Sequence, residues 1–143
     1  MSGKRSARRR VRGTVGDPCP GGMTDPTAFA DGGGIAVTGA TGFIGSHLLT
    51  RLDARQRPTR ALVRAKKNRT LSVPASTEIV SGSLQDRDAI QALLQNTQTC
   101  IHLAGATKSV DANGFHRANV IGTYNMVACA AAAGVEHFIC VSS

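Results

Sequence analysis

Short apolar runs alternate with amphipathic segments from residue 35 to residue 143. Runs with the length and composition of buried β-strands occur at residues 35–38, 59–63, 78–80, 99–103 and 137–141. The segments with apolar residues at helical spacing are 43–55, 86–94 and 112–133. This alternation predicts an α/β domain with a parallel sheet and right-handed crossovers.

The helical segments also carry signals for their faces and ends. Apolar residues recur on one face of the first two segments: Ile44, Leu48, Leu52, Ile90, Leu93 and Leu94. Asp86 stands where a side chain would cap the first turn of the second helix. Gly134 follows the third segment and predicts a left-handed C-terminal cap.

The predicted fold is a Rossmann-type parallel sheet with flanking helices, in the strand order 3-2-1-4-5, truncated after strand five. Apolar residues make up 41% of the chain and aromatic residues only 3%, so the core must consist of small aliphatic side chains. Such a core is typical of helices packed on a parallel sheet. In this fold, ligands bind at the carboxyl ends of the strands, where the strand order reverses.

Residues 1–34 show no periodicity and are predicted to be a disordered, basic and Gly-rich N-terminal extension, with the folded domain at residues 35–143. Its first 22 residues carry a net charge of +5, out of +8 for the whole chain. Its basic residues are Lys4, Arg5, Arg8, Arg9, Arg10 and Arg12. Charge alone would allow nucleic acid or an anionic membrane as a partner, but no aromatic residues or apolar face accompany it. Met23 is an alternative start that would remove residues 1–22.

The cysteines bear on location and on metal binding. Cys19, Cys100, Cys129 and Cys140 have no C-x-x-C spacing, and the last three lie in apolar runs. They are predicted to be buried free thiols, with no metal site. No apolar stretch reaches the ~18 residues of a membrane helix. We therefore expect a cytoplasmic protein without a membrane partner, and we do not expect nucleic acid to bind.

A glycine-rich turn joins the first strand to the first helix. Gly39 would allow the tight bend, Gly42 would let backbone approach a pyrophosphate, and Gly45 would let helix and strand pack closely. The N-terminus of the helix would then present unpaired N–H groups to the phosphates. The position of these glycines between a strand and a helix predicts a dinucleotide site.

The whole motif, Thr38-Gly39-Ala40-Thr41-Gly42-Phe43-Ile44-Gly45, resembles the extended and atypical short-chain dehydrogenase/reductases, which include NAD-dependent epimerases and dehydratases. The resemblance covers residues 35–143. It implies that Thr41, Phe43 and Ile44 join the glycines in cofactor binding. It also implies hydride transfer between a nicotinamide and a substrate C–OH.

Arg64, at the end of the second strand, bears on the choice of cofactor. The resemblance places an acidic residue here in NAD-binding members and a basic residue in NADP-binding ones. Arg64 therefore favours NADP, while NAD stays possible. The alternative is a solvated surface arginine beside Lys66, Lys67 and Arg69.

Two further segments resemble cofactor contacts of the family. Gly82-Ser83-Leu84 resembles its adenine-binding G-D-L, with Ser83 in place of the acid. His102-Leu103-Ala104-Gly105 resembles H-x-A-[AG], in which Leu103 and the small Ala104 and Gly105 pass close to the cofactor. His102 itself is interpreted as a packing residue at the strand end, and Lys108 as a surface residue.

The last two motifs concern catalysis. Asn119-Val120-Ile121-Gly122-Thr123 resembles N-V-x-G-T, in which the asparagine orders the helix and the active-site water. Asn119 is interpreted either as a site residue, catalytic and cofactor-binding, or as a buried structural link. Gly122 costs a helix about 1 kcal/mol relative to alanine, which indicates close packing. The end of strand five, with Val141 beside the cofactor, resembles the segment whose last serine, here Ser143, holds the substrate oxygen.

The resemblance assigns the catalytic base to a Y-x-x-x-K motif. The single tyrosine, Tyr124, has Ala128 four residues on and cannot form that motif. The sequence therefore predicts a dinucleotide-binding domain of an epimerase/dehydratase-like enzyme that is catalytically incomplete as written, with an unknown substrate. A non-catalytic NADP-binding or sensor module and a truncated reading frame without independent function are the alternatives. An exposed sheet edge would allow self-association.

Overall fold

The computed structural model describes residues 33–64, 73–106 and 112–142. These residues form one parallel sheet in the order β3-β2-β1-β4-β5, which confirms the predicted fold class. The strands are β1 (Gly34–Thr38), β2 (Thr59–Val63), β3 (Glu78–Ser81), β4 (Thr97–His102) and β5 (His137–Cys140). The order reverses between β1 and β4: the chain continues from β1 toward β2 on one side of the sheet and from β4 toward β5 on the other.

The helices are α1 (Phe43–Ala54), α2 (Arg87–Leu94), α3 (Ala112–Phe115) and α4 (Gly122–Ala133). The side chain of Asp86 accepts a hydrogen bond from the Ala89 N–H at 3.1 Å, which confirms its predicted capping role. Gly134 has a φ of 74° and closes α4, as predicted. The start of α2 and the end of α4 are therefore determined by local residues.

A π-helical stretch, His116–Ile121, joins α3 to α4. The apolar spacing had predicted one continuous helix over residues 112–133. A π-turn adds one residue to each hydrogen-bonded ring, and the side-chain period alone does not reveal it. β4 also begins at Thr97 rather than at residue 99, because Gly34 on β1 pairs with this polar residue.

Two apolar clusters cover the two faces of the sheet. Helices α2 and α4 pack on one face, where Ile90, Leu93, Leu94, Met126 and Cys129 are buried. Helix α1 packs on the other face through Leu49, against residues of β1 and β2 that include Val37, Ala61 and Val63. Both clusters consist mainly of aliphatic side chains, as the composition predicted.

One apolar residue of α1 is more exposed than the sequence pattern predicts. Leu48 and Leu52 pack against the core, and Leu49 between them is fully buried. Ile44 is 58% exposed, although it shares their spacing. It lies in the first turn of α1, next to the glycine turn.

Arg60 is a buried charged residue near the amino end of β2. Its Nε lies 2.8 Å from Glu78 Oε2 on β3, and its Nη1 donates to the carbonyl of Gln95 at 2.7 Å. Gln95 is the C-cap residue of α2. The guanidinium therefore joins β2 and β3 to the negative end of a helix.

The cysteines agree only partly with prediction. Cys100 and Cys129 are buried free thiols, as expected, whereas Cys140 is exposed. The prediction was wrong for Cys140 because β5 is an edge strand whose residues are only partly covered. Burial, with a further contribution from Cys140, raises the pKa of Cys100 to about 12.

Several predictions concern residues outside those that the structure describes. They are the N-terminal extension with Cys19 and Met23, the basic residues Lys66, Lys67 and Arg69, and Lys108 and Ser143. Within the described ranges, no helix is long and apolar enough to span a bilayer. The same ranges contain no group of three or more His, Cys, Asp or Glu side chains placed to hold a metal ion.

Candidate functional site

The glycine turn lies between the end of β1 and the start of α1. Gly39 has a φ of 73°, and a Cβ at this position would lie 2.7 Å from the backbone nitrogen of Ala104. The Gly42 N–H donates to the Gly39 carbonyl at 3.0 Å and closes the turn. A side chain at Gly39 is therefore excluded by both conformation and space.

The other two glycines have different surroundings. A Cβ on the buried Gly45 would collide with the Gly39 carbonyl and with Ala40, so α1 packs closely on the turn, as predicted. Gly42 is exposed, and a Cβ there would have one near neighbour, the Gly39 carbonyl at 3.2 Å. Because α1 has neither a side-chain cap nor an acidic residue in its first turn, its N-terminus presents backbone toward this open side.

A cleft of about 450 Å³ opens beside the glycine turn, at the carboxyl ends of the strands. Its walls are formed by Thr38, Gly39, Thr41, Gly42, Leu62, Arg64, Gly82, Ser83, Leu84, Gln85, Leu103, Ala104, Gly105, Ala106 and Ala118. The cleft therefore lies at the reversal of strand order, where the fold predicts a ligand.

Most residues that the sequence singled out for cofactor binding line this cleft. They are Gly39, Thr41, Gly42, Arg64, Ser83, Leu84, Leu103, Ala104 and Gly105. Phe43, Ile44, Gly45, Asn119 and Val141 are not among its lining residues. Phe43 is 82% exposed at the start of α1, with its ring edge-on to His47.

One end of the cleft lies beyond β2 and β3. Exposed Arg64 follows β2, and Gly82 and Ser83 follow β3. The Ser83 hydroxyl accepts a hydrogen bond from the Gln85 N–H at 3.3 Å. This end therefore offers a cation, a hydroxyl and the apolar side chains of Leu62 and Leu84.

Leu84 is held against helix α4. A Cβ on Gly122 would lie 2.8 Å from Leu84 Cδ1, and Asn125 Nδ2 donates to the Leu84 carbonyl at 2.9 Å. The close packing predicted for Gly122 is therefore real, and its partner is a residue of the cleft.

The other end of the cleft is formed by residues 103–106, which we call the wall segment. The Thr38 carbonyl accepts from the Leu103 N–H at 3.2 Å, and the Thr38 hydroxyl accepts from the Ala104 N–H at 3.3 Å. The last residue of β1 thus holds two successive amides of the wall segment, directly above Gly39.

Asn119 holds the far end of the wall segment. Its Oδ1 accepts from the Ala106 N–H at 2.7 Å, and its Nδ2 donates to the Ala106 carbonyl at 3.1 Å. Both ends of the amide are thus engaged with one backbone residue. Asn119 lies in the π-helical stretch, a geometry that is frequent at functional sites, and its neighbour Ala118 lines the cleft.

His102 lies behind the wall segment, at the end of β4, and is 1% exposed. Its Nδ1 lies 2.7 Å from the Thr38 hydroxyl, and its Nε2 lies 3.1 Å from the Thr123 hydroxyl on α4. Burial lowers the pKa of this imidazole, which favours the neutral ring. The structure places His102 in the interior, as the sequence predicted, but its two hydrogen bonds were not foreseen.

The end of β5 lies beside His102. The Val141 N–H donates to the His102 carbonyl at 3.1 Å, and the Val141 side chain is 48% exposed. Tyr124 is 55% exposed on α4 and does not line the cleft. Ser143 lies outside the described residues.

Sequence reasoning assigned no cofactor contact to six lining residues, although two of them stand in the motifs quoted above: Thr38, Leu62, Gly82, Gln85, Ala106 and Ala118. Thr38, Leu62 and Gly82 could have been predicted to line the cleft, because they stand at or beside the carboxyl end of a predicted strand. Ala118 could not be found in this way, since its place depends on the π-helical stretch.

Comparison with known proteins agrees with this geometry. The model of the NAD dependent epimerase/dehydratase family matches residues 35–143. The chain belongs to this family. The match covers the sheet, the glycine turn and every lining residue of the cleft.

Two reductases are among the curated proteins similar in sequence to this epimerase/dehydratase chain. The ceramide reductase of Caulobacter vibrioides is 37% identical over 111 residues, which cover 78% of this chain and 35% of the relative. A putative dihydroflavonol 4-reductase of Synechocystis is 37% identical over 109 residues, which cover 75% of this chain and 32% of the relative. The chain thus spans about a third of the length of these relatives.

Solved structures show the same fold. MoeE5, in complex with UDP-glucuronic acid and NAD, is 31% identical with a TM-score of 0.67. The similarity covers 78% of this chain and 37% of that one.

Proposed function

We propose that residues 35–143 form the dinucleotide-binding part of an NAD(P)-dependent epimerase/dehydratase-family enzyme, in which hydride moves between a nicotinamide and a substrate C–OH. The observation that carries the proposal is the open backbone cradle at Gly42. It faces a cleft at the reversal of strand order, where a parallel α/β sheet binds its ligand.

The cradle fits a pyrophosphate. The exposed backbone at Gly42 and the first turn of α1 offer N–H groups and the positive end of a helix dipole. A Cβ at Gly42 would occupy the space through which phosphate oxygens reach this backbone, while having only one near protein neighbour. The absence of a side chain at Gly42 is therefore explained better by access for a ligand than by packing within the fold.

The end of the cleft near Arg64 fits the adenosine. Leu62 and Leu84 offer apolar contacts to an adenine ring, and the Ser83 hydroxyl offers a polar one. The exposed guanidinium of Arg64 can pair with a phosphate on the ribose through two N–H groups. This fit supports NADP over NAD as the cofactor.

The wall segment would then face the nicotinamide half. Leu103, Ala104 and Gly105 leave room for a ring beside the backbone, and Asn119 keeps this backbone in place. A bound nicotinamide dinucleotide supplies or accepts the hydride. We assign Ser143 the role of holding the substrate oxygen, and Asn119 the role of ordering the wall beside it. One similar protein is named a ceramide reductase and another was solved in complex with UDP-glucuronic acid, so the comparisons favour no single substrate.

Calorimetric titration with NADPH tests the proposal. We expect Gly42→Ala to raise the Kd for NADPH about tenfold or more, because the methyl group blocks the phosphate cradle. The matched control is Gly134→Ala, which changes a glycine with nothing within 4 Å of its Cβ position, far from the cleft. It should lower the free energy of unfolding by about 1 kcal/mol because φ is positive there, and should leave the Kd unchanged.

Two results would contradict the proposal. One is the absence of saturable NADPH and NADH binding to the folded wild-type chain. The other is an equal effect of Gly42→Ala and Gly134→Ala on the Kd.

A further inference from the structure

A chain of hydrogen bonds runs behind the wall segment through three buried or half-buried side chains. It joins the Ala104 N–H to the Thr38 hydroxyl, the Thr38 hydroxyl to His102 Nδ1, and His102 Nε2 to the Thr123 hydroxyl. Its members come from the wall segment, β1, β4 and α4. We call this chain the Thr38–His102–Thr123 relay.

The direction of the hydrogen bonds follows from the donors that are available. The Thr38 oxygen accepts the Ala104 N–H and has a single proton of its own. Thr38 is 0% exposed, so an unpaired hydroxyl proton there would be costly. Among the described residues, the other side-chain contact of this hydroxyl is His102 Nδ1 at 2.7 Å. The hydroxyl therefore donates to Nδ1, which must be unprotonated.

The tautomer follows from that direction. A neutral imidazole with an unprotonated Nδ1 carries its proton on Nε2. The Nε2–H then donates to the Thr123 hydroxyl, 3.1 Å away. The relay thus has one consistent direction, from the Ala104 amide to Thr38 and on to His102, with His102 donating to Thr123.

The relay has a consequence for the cleft. By accepting the hydrogen bond from the Thr38 hydroxyl, His102 fixes the rotation of that hydroxyl. The lone pairs of the hydroxyl oxygen then face the Ala104 amide. Ala104 lies only 2.7 Å from the position of a Cβ on Gly39, so the wall and the glycine turn share one narrow space. A turned Thr38 hydroxyl would point its proton at the Ala104 N–H and push the wall away from the turn.

We propose that His102 is a positioning residue for the nicotinamide half of the cleft, acting through Thr38 on the Ala104 amide in its Nε2–H form. The inference rests on the proposed dinucleotide function and adds a residue that does not touch the cleft. His102 is absent from the lining residues, so its effect on binding is indirect, and its hydrogen bond to Thr38 connects it to the wall segment.

The experiment compares two ligands that reach different parts of the cleft. ADP reports on the adenosine and pyrophosphate end, whereas NADPH also reaches the wall segment. We expect Thr38→Val to raise the Kd for NADPH about tenfold, because the Ala104 amide and His102 Nδ1 both lose their hydrogen-bond partner, and to raise the Kd for ADP by less than about twofold. A general loss of structure would weaken both ligands alike.

Two substitutions of His102 separate its two hydrogen bonds. In His102→Asn the amide oxygen can still accept from Thr38, and in His102→Gln the amide nitrogen can still donate to Thr123. We expect the asparagine variant to bind NADPH within about threefold of wild type and the glutamine variant to lose about tenfold. The reverse order would overturn the proposal.

Thr59→Val is the matched control. Thr59 is also a buried strand threonine, 4% exposed, and its hydroxyl donates to the Arg57 carbonyl at 2.8 Å at the opposite end of the sheet. This variant should lose stability like Thr38→Val and leave both Kd values unchanged. Equal Kd values for Thr38→Val and wild type would overturn the role of the relay while leaving the proposed function intact.

A second measurement needs neither a variant nor a ligand. Long-range ¹H–¹⁵N correlation of the imidazole rings at pH 7 identifies the protonated nitrogen of His102. We expect protonation on Nε2, and a proton on Nδ1 would overturn the proposal. A wild-type chain that binds ADP as tightly as NADPH would contradict the proposed function and this inference together.

Discussion

Under the proposed function, single residues at the strand ends decide between NADP and NAD. Arg64 is the clearest case, because it lines the cleft and is exposed at the end of β2. A guanidinium can form a two-point, charge-assisted contact with a ribose phosphate, which NADPH has and NADH lacks.

Arg64→Ala is therefore expected to weaken NADPH about tenfold to a hundredfold, since hydrogen bonds to charged groups contribute about 1.5–3 kcal/mol each. NADH binding should change by less than about twofold. Parallel titrations of both ligands test this, with the exposed Arg51→Ala on α1 as the control for loss of a surface charge. If wild type binds NADH as well as NADPH and Arg64→Ala changes neither, the preference for NADP is wrong.

The residues that sequence reasoning found and missed differ in what their roles depend on. The positions of Gly39, Gly42 and Arg64 in the cleft could be predicted because each residue lies in the loop that follows a strand. The contacts of Thr38, His102 and Thr123 could not, because they join residues up to 66 positions apart and depend on β1, β4 and α4 packing together. The paired contact of Asn119 with Ala106 has the same origin.

At the scale of elements, one buried arginine joins two strands to a helix. Arg60 contacts Glu78 on β3 and the Gln95 carbonyl at the C-terminus of α2. It also contacts the Ala92 carbonyl at 3.4 Å. Methionine has a similar volume but offers no donor to these helix carbonyls.

Arg60→Met is expected to lower the free energy of unfolding by about 2 kcal/mol, because buried carbonyls at the helix end lose a charged donor. Urea denaturation followed by circular dichroism measures this. Arg51→Met, on the exposed face of α1, removes the same charge from the surface and should cost less than about 0.5 kcal/mol. Equal costs for the two variants would show that Arg60 has no stabilising role in the fold.

The elements themselves could largely be predicted from the sequence. The bounds of β2 and the two caps, Asp86 and Gly134, follow from local side chains and were correct. The start of β4 at Thr97 follows from pairing with Gly34. The π-helical stretch carries Asn119, whose amide is bonded to Ala106 in another segment. Periodicity contains neither kind of information.

At the scale of the whole molecule, the sheet is covered unevenly. Helices α2 and α4 cover one face, and helix α1 covers part of the other. Ile139 and Val141, at and just beyond the edge strand β5, are each 48% exposed. The cleft lies at the centre, where both apolar clusters support the strands that end in it.

The central claim is that a dinucleotide lies along this cleft, from Arg64 past the glycine turn to the wall segment. ¹H–¹⁵N correlation spectra of the labelled chain, recorded during titration with NADPH, test it most directly. We predict the largest amide shifts at residues 39–45, 62–64, 82–85 and 103–106, with little change at Arg60 and Thr97 at the opposite end of the sheet. Shifts that leave residues 39–45 unchanged, or that centre on the amino ends of the strands, would contradict the account.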